Sequence, residues 1–355
     1  MQKHDLLVRI SILFVFIVVF LGALYLVVRN NKPLAIKTQE TLATKVTEKL
    51  NPLSIVSMRS ASYPGSKIEI LEELSNGTNY KQSVVSYKSD GLTIRALLTV
   101  PTTPKPKDGY PVVIFNHGYI PPTEYKTTER YLTYVDGFAR NGYVVLKSDY
   151  RGHGSSEGNP EGAYFSPAYT VDVLNGLNSI KQLDYVDKNN IGMWGHSMGG
   201  SITQRIVVID PSIKAAVIWG GVVGSYEDLF RDWWSKRRTP SPMPRNNEMN
   251  ATRPSRQLFI QQFGEPTSTN EFWNSISATS YMQYLTTPIE LHHGITDETV
   301  PYQLSQDYYD KLKKANKEVD VYFYEGNDHN ISQSFNLAMQ RSIAFFDKHL
   351  KGRIQ

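Results

Sequence analysis

The sequence predicts an α/β protein with a mainly parallel central sheet, helices on both faces and one N-terminal transmembrane helix before it. Three observations support this class. Buried-strand patterns alternate with helical patterns from about residue 82, an apolar run occupies residues 10–28, and a glycine-flanked serine lies between a predicted strand and a predicted helix. The 355 residues, 40% of them hydrophobic, suffice for one large domain with a terminal extension.

The apolar run at 10–28 is long enough to cross the roughly 30 Å hydrocarbon layer of a membrane as a helix. A cleaved signal peptide is the alternative, but the end of the run offers no small-x-small cleavage pattern. We therefore predict an uncleaved anchor at 10–28, preceded by a short flank at 1–9. Basic residues flank both ends, so charge does not fix the orientation. Our prediction is a single-pass membrane protein whose main domain is extracytoplasmic.

After the anchor, residues 29–80 are polar and lack strong periodicity, which predicts a linker or stalk. The main domain is predicted at 81–355 and opens with two strand-like runs joined by Ser89-Asp90-Gly91, a hairpin signal. Later runs alternate with helical stretches, which is typical of a parallel sheet covered on both faces. These later runs are 111–115, 143–146, 191–194, 215–219, 288–291 and 319–323.

The interval from about 226 to 284 breaks this alternation and contains Trp233, Trp234 and Trp273 together with several prolines. In an open α/β sheet, an insertion between late strands commonly lies over the carboxyl ends of the strands, where ligands bind. We predict a cap insertion. The alternative is a peripheral decoration whose aromatic residues pack onto the body of the domain.

Composition excludes several kinds of chemistry. The chain has no cysteine, which rules out disulfides, thiolate metal sites and a catalytic thiol. It has 38 basic and 34 acidic residues, and four of the basic ones flank the apolar run, so the remainder is near neutral and predicts no nucleic-acid partner. The pair His292-His293 lacks further ligands at metal spacing, so we predict no metal and no cofactor. Nothing in the sequence indicates the oligomeric state.

The segment Gly195-His196-Ser197-Met198-Gly199 matches G-x-S-x-G and joins a predicted strand to a predicted helix. A serine at such a turn is exposed in strained backbone, and Gly195 and Gly199 are needed because side chains there would collide with the strand and the helix. A serine hydroxyl becomes a good nucleophile only when a base removes its proton and a third group orients that base. Ser197 is therefore the candidate nucleophile, and the search is for a histidine and an acid.

Asp297 and His329 each follow directly after a predicted late strand, in the chain order serine, acid, histidine that α/β hydrolases use. Glu298 and Asp328 compete for the role of the acid. We favour Asp297 because Gly294 and the polar turn around it suit an inward-facing carboxylate. The alternative for His329 is a solvated loop histidine.

The oxyanion hole is predicted from two backbone N–H groups, those of Met198 and Tyr119. Gly118 would let the loop after the strand 111–115 approach closely. His117 either lines the pocket or is purely structural. Arg151 is predicted to brace the loops that wall the site.

Together these motifs resemble the catalytic domain of the prolyl oligopeptidase (S9-like) family of serine peptidases, within the α/β-hydrolase superfamily. The resemblance spans roughly residues 82 to 351. It implies an α/β-hydrolase fold and peptidase activity. Relatives commonly carry a large β-propeller before this domain, and residues 30–80 are too few to build one. The resemblance rests on Asn116-His117-Gly118, the segment 149–156, Gly195 to Gly200, the segment 293–301 and Asp328-His329.

The leading hypothesis is a membrane-anchored serine hydrolase that works through an acyl-enzyme and acts on short peptides. A carboxylesterase or lipase-like hydrolase is the alternative, because both reactions use the same machinery. A third hypothesis, from another class, is a membrane-tethered binding protein on an inactive hydrolase fold.

Overall fold

The computed structural model describes residues 51–234 and 256–352, and all nine strands in that part of the chain belong to one sheet. The sheet order is β1-β2-β3-β5-β4-β6-β7-β8-β9. The first three strands run antiparallel to their neighbours, whereas β5, β4 and β6 to β9 are mutually parallel. The predicted mainly parallel sheet is thus confirmed. The strands are β1 (Glu69–Glu73), β2 (Tyr80–Ser89), β3 (Leu92–Pro101), β4 (Tyr110–Asn116), β5 (Val144–Ser148), β6 (Val186–His196), β7 (Ile213–Trp219), β8 (Ile289–Gly294) and β9 (Val319–Tyr324).

Helices connect and cover these strands. A π-helical turn covers Leu229–Trp234, and 3-10 turns cover Ala278–Tyr284 and Ser332–Ser334. The α-helices are α1 (Ile55–Ser60), α2 (Leu132–Ala139), α3 (Ala168–Ile180), α4 (Met198–Ile209), α5 (Tyr226–Asp228), α6 (Arg256–Phe263), α7 (Glu271–Ile276), α8 (Gln303–Lys314) and α9 (Phe335–Leu350).

Strand β4 shows why the sequence folds as a covered sheet, since all seven of its residues are buried. Because side chains alternate along a strand, Val112 and Ile114 join the core on one face, whereas Val113 and Phe115 join the core on the other. Helices α3 and α4 pack on the first face, and α2 and α9 on the second. A strand buried on both sides reads as a continuous apolar run, as the sequence showed.

The folded domain begins at residue 51 rather than near 81, so the second half of the predicted linker is corrected. In helix α1, Ile55 and Met58 lie three residues apart on one buried face. Strand β1 pairs antiparallel with β2 at the edge of the sheet. The six-residue helix is too short to produce a visible period, and all five residues of β1 are exposed, so neither element had a hydrophobic pattern.

The predicted anchor at 10–28 lies outside the described residues. Within residues 51–234 and 256–352, no helix combines the length and apolar character that membrane crossing requires.

The insertion at 226–284 is described except for residues 235–255. Part of it packs on the body of the domain, where Trp273 and Tyr226 form an apolar cluster with Leu53. Another part, the π-helical turn, carries Trp233 and Trp234 into the wall of the main cavity. The described part of the insertion therefore packs onto the body of the domain and also lines the cavity, and its role as a cap stays a prediction.

Candidate active site

The candidate nucleophile Ser197 lies at a sharp turn between β6 and α4. Its backbone adopts φ 55° and ψ −119°, a conformation that L-residues rarely adopt. A Cβ on Gly195 would lie 2.4 Å from the Thr203 hydroxyl oxygen, and one on Gly199 would lie 1.9 Å from the carbonyl oxygen of Asn116. Both contacts are shorter than atoms tolerate, so this turn requires glycine on each side of the serine.

Ser197 and His329 line one cavity of about 710 Å³. The backbone N–H of Ser197 donates to the carbonyl of Trp219 at 3.1 Å, which ties the turn to the end of the neighbouring strand β7. His329 reaches the same place from the loop after β9. The carboxyl ends of parallel strands meet at one edge of the sheet, and this edge is where ligands bind in open α/β folds.

The carboxylate of Asp297 is fully buried and accepts four hydrogen bonds. Its Oδ1 accepts from the backbone N–H groups of Thr299 and Val300, at 2.8 and 2.9 Å. Its Oδ2 accepts from His329 Nδ1 at 2.6 Å and from His293 Nε2 at 3.1 Å. Burial would raise the pKa of Asp297, but the hydrogen bonds from the two histidines and the charge of His329 outweigh it and hold the pKa well below its ordinary value. Asp297 is therefore an anion that orients His329.

The two competing acids lie elsewhere. The side chain of Glu298 is exposed to solvent. The carboxylate of Asp328 closes its own loop, because it accepts the N–H groups of Asn330 and Ser332 at 3.2 and 2.8 Å and the hydroxyl of Ser332 at 2.8 Å. Of the three carboxylates, Asp297 is the one that contacts the histidine ring.

His293 is a site residue that the sequence analysis missed, because it considered the pair His292-His293 only as metal ligands. The Nε2–H group of His293 lies 3.1 Å from Asp297 and 3.0 Å from the carbonyl oxygen of Val300, while Nδ1 lies 2.7 Å from the Ser305 hydroxyl. The one feature of the sequence that could have indicated this role is that His293 lies four residues before Asp297. His292 points to the other face of β8, between Tyr324 and Glu290, at 2.7 Å from each.

The two predicted oxyanion donors are close to Ser197. Met198 is the first residue of α4, where backbone N–H groups have no partner inside the helix. Tyr119 follows Gly118, and both line the cavity. A Cβ on Gly118 would lie 3.1 Å from the Ser197 Cβ, so the absent side chain permits the close approach of this loop. The N–H of Gly118 donates to the hydroxyl of Tyr131 at 3.0 Å.

His117 and Arg151 hold the surrounding loops. The His117 ring is buried between Tyr125 and Tyr150, with ring centroids 4.6 and 4.3 Å away, so it is structural and does not line the cavity. Burial lowers the pKa of His117 well below its ordinary value. Arg151 binds the carboxylate of Asp172 on α3 through two nitrogens, Nε at 3.0 Å and Nη2 at 2.7 Å, which braces the loop after β5.

Aromatic side chains and two charged groups form the rest of the cavity wall. Tyr164, Phe165, Trp233 and Trp234 lie on it, and their rings contact one another, as between Phe165 and Trp234 at 5.6 Å. Arg130 and Glu161 also line the cavity. Glu161 accepts a hydrogen bond from the Ser166 hydroxyl at 2.6 Å. Such a wall suits an apolar group with polar or charged neighbours.

The described residues contain no group of three or more His, Cys, Asp or Glu side chains arranged to hold a metal ion. The site is built instead from a serine on a strained turn, a histidine in the same cavity and a buried carboxylate on that histidine. This fold and this site define a serine hydrolase of the α/β-hydrolase superfamily. Within it, the chain belongs to the serine aminopeptidase S33 family, whose model matches residues 110–333.

The chain is also similar to several individual proteins. The chain is 26% identical over 267 residues to the uncharacterized peptidase YtmA of Bacillus subtilis, covering 75% of this chain and 92% of YtmA. The acylaminoacyl peptidase of Pyrococcus horikoshii has a similar fold, with a TM-score of 0.59, 22% identity, and coverage of 78% of this chain and 43% of that one. The Est1E structure from Butyrivibrio proteoclasticus, bound to ferulic acid, matches with a TM-score of 0.54 and 20% identity, over 75% of this chain and 99% of that one. The predicted similarity to serine peptidases of the prolyl oligopeptidase type is confirmed.

Proposed function

We propose that the protein is a membrane-anchored serine peptidase that cleaves short peptides through an acyl-enzyme, with Ser197 as nucleophile, His329 as general base and Asp297 as the orienting acid. The contact that carries this proposal is the 2.6 Å hydrogen bond between His329 Nδ1 and the buried Asp297 carboxylate, next to a cavity that His329 shares with Ser197. With a proton held on Nδ1, the other ring nitrogen of His329 has a lone pair for the serine proton.

The proposed reaction proceeds in two halves. The Ser197 oxygen attacks the carbonyl carbon of the scissile amide and its proton passes to His329, while the N–H groups of Tyr119 and Met198 stabilise the oxyanion. When the tetrahedral intermediate collapses, the C–N bond breaks, His329 returns the proton to the leaving amine, and the acyl group remains on Ser197. Water then attacks the ester, gives a proton to His329, and releases the carboxylic acid as Ser197 regains its proton.

Peptides are favoured by the charges on the cavity wall. A lipid acyl chain would press hydrocarbon against Arg130 and Glu161, and removing water from charged groups costs free energy. A short peptide offers apolar side chains to the aromatic rings and charged termini to these two groups. The similarity to acylaminoacyl peptidase and to YtmA supports the same choice.

A carboxylesterase is the second candidate. It is supported by the fold similarity to Est1E, whose chain is covered almost completely, and by the aromatic rings on the cavity wall, which suit an aromatic acyl group. Both activities use the same serine chemistry.

The test is hydrolysis of matched substrates by the full-length protein in mild detergent. N-Acetyl-phenylalanine would be offered as its p-nitrophenyl ester and as its p-nitroanilide, and phenylalanine p-nitroanilide with a free amino group would be added. We expect amide cleavage that Ser197→Ala abolishes. Ester cleavage without any amide cleavage would overturn the peptidase proposal and favour the esterase.

The anchor is a separate part of the proposal, supported by the 19-residue apolar run at 10–28. Carbonate extraction of membranes from cells that make the full-length chain should leave the protein in the pellet, and protease added outside the cytoplasmic membrane should digest its hydrolase domain. Release by carbonate would refute the anchor, and protection from protease would refute the extracytoplasmic placement.

A further inference from the structure

We propose that Tyr131 is a positioning residue that couples the oxyanion loop, the nucleophile turn and the loop of His329, acting through the His196 ring. The inference rests on the proposed function, since it assigns how the parts of that site are held together. Its basis is a continuous chain of three hydrogen bonds that joins the three loops.

The chain begins at the backbone N–H of Gly118, which lies 3.0 Å from the Tyr131 hydroxyl oxygen. The same hydroxyl lies 2.7 Å from His196 Nδ1. At the other side of that ring, His196 Nε2 lies 3.0 Å from the backbone carbonyl oxygen of His329. His196 is the residue directly before Ser197, so the chain passes beside the nucleophile.

The directions of these bonds follow from chemistry. Burial and the neighbouring charge of His329 lower the pKa of His196 to about 3, so its ring is neutral and carries one proton. The carbonyl of His329 only accepts, so this proton is on Nε2 and Nδ1 has a lone pair. The Tyr131 hydroxyl therefore donates to Nδ1, and its oxygen is left to accept the N–H of Gly118. Burial raises the pKa of Tyr131 far above its ordinary value, which keeps this hydroxyl protonated.

Two further observations point to a fixed position for Tyr131. Its backbone has φ 64° and ψ 18°, a left-handed conformation that is unfavourable for a bulky residue and persists only where the surroundings impose it. A Cβ on Gly118 would lie 2.6 Å from the Tyr131 hydroxyl, so the loop and the phenol are in close contact. Because this bond occupies the N–H of Gly118, that N–H is not the oxyanion donor proposed for this loop.

The test uses Tyr131→Phe in the full-length protein, which keeps the ring and removes only the hydroxyl. Without the hydroxyl, the oxyanion loop and the loop of His329 can shift. Displacing an oxyanion donor or a base by a fraction of an ångström raises the activation barrier of the chemical step and leaves substrate binding in the ground state nearly intact. We expect kcat to fall by about 10- to 100-fold, with KM changed less than about 3-fold. Tyr63→Phe is the matched control, because its hydroxyl makes one bond, to the Met58 carbonyl at 2.9 Å, outside the site.

A double-mutant cycle separates positioning through His196 from a general loss of stability. His196→Ala and Tyr131→Phe should each lower kcat, and the double variant should be no slower than the slower single variant, because both break the same chain. Additive losses would refute action through His196.

Two outcomes distinguish this inference from the proposed function. If the wild-type protein hydrolyses substrate and Tyr131→Phe keeps a kcat within threefold of it, the inference is refuted and the proposed function stays intact. A wild-type protein that neither hydrolyses substrate nor reacts with a fluorophosphonate at Ser197 would instead refute the proposed function.

Discussion

Replacing Asp297 with asparagine tests the acid assignment, and the structure determines how the new side chain must sit. The Oδ1 atom accepts two backbone N–H groups, from Thr299 and Val300, so the amide oxygen of an asparagine has to stay there. The amide NH₂ group then occupies the place of Oδ2. At that place it faces His329 Nδ1 and His293 Nε2, which both donate in the wild-type protein.

The conflict is resolved if His329 moves its proton to Nε2 and accepts the amide through Nδ1. In that tautomer the nitrogen that should accept the serine proton is already protonated. The same tautomer change lowers kcat by about 10⁴-fold in serine protease triads. We expect a loss of about 10³- to 10⁴-fold for Asp297→Asn, which corresponds to about 4–5.5 kcal/mol at 1.36 kcal/mol per factor of ten.

The assay is kcat/KM on the best substrate found, together with the rate of labelling of Ser197 by a fluorophosphonate and the circular dichroism of each variant. Glu298→Gln and Asp328→Asn are the matched controls, and we expect both to stay within about tenfold of wild type, because neither carboxylate contacts His329. The reasoning is refuted if Asp297→Asn retains a tenth of wild-type activity, or if Asp328→Asn is the more damaging change.

Three further predictions concern the turn, a buried acid and the cavity wall. Gly199→Ala should prevent folding or lower Tm by more than about 10 °C, since its Cβ would lie 1.9 Å from the Asn116 carbonyl oxygen; an unchanged Tm would contradict this. Burial raises the pKa of Asp149 to about 6, so the folded state favours its protonated form. Its contribution to the free energy of unfolding is therefore fully present below about pH 4 and is lost as the pH rises through about 6. Between pH 4 and 7, urea unfolding should show that wild type loses about 2 kcal/mol more of its free energy of unfolding than Asp149→Asn does. Asp108→Asn is the control at an exposed aspartate and should lose as much as wild type. Trp234→Ala should alter the preference between aromatic and small acyl groups more than fluorophosphonate labelling of Ser197, and unchanged relative rates would contradict it.

The sequence was sufficient to predict strands β2 to β9 and to select the three candidate residues, because both follow from local patterns. An apolar strand followed by G-x-S-x-G predicts the turn at Ser197, and strand ends predict the places of Asp297 and His329. The structure brings His329 and Asp297 into contact at 2.6 Å and places Ser197 and His329 on one cavity.

Other parts of the site depend on contacts between distant segments, which no local pattern reveals. Tyr131 contacts His196, a residue 65 positions later in the chain. Nothing in the sequence around Tyr131 indicates a left-handed tyrosine, since that conformation is imposed by tertiary contacts. The hydrogen bond from His293 to Asp297 depends on the turn after β8, which brings the carboxylate of Asp297 back to the His293 ring. The edge strand β1 was missed because its exposed side chains show no alternation.

Gly294 shows how backbone contacts set the distance between the acid and the histidine. Gly294 suits a polar turn, which was one reason to predict Asp297 as the acid, but the structure gives a stronger reason for a glycine there. A Cβ on Gly294 would lie 2.3 Å from the carbonyl oxygen of Asn327 and 2.4 Å from that of Asp328, so the loop of the acid lies directly against the backbone that leads into His329. The spacing of Asp297 and His329 is therefore fixed by backbone packing, independently of the side chains on the cavity wall. Because Trp233 and Trp234 come from the insertion, the cavity can be reshaped for other substrates while the acid and the histidine keep their geometry.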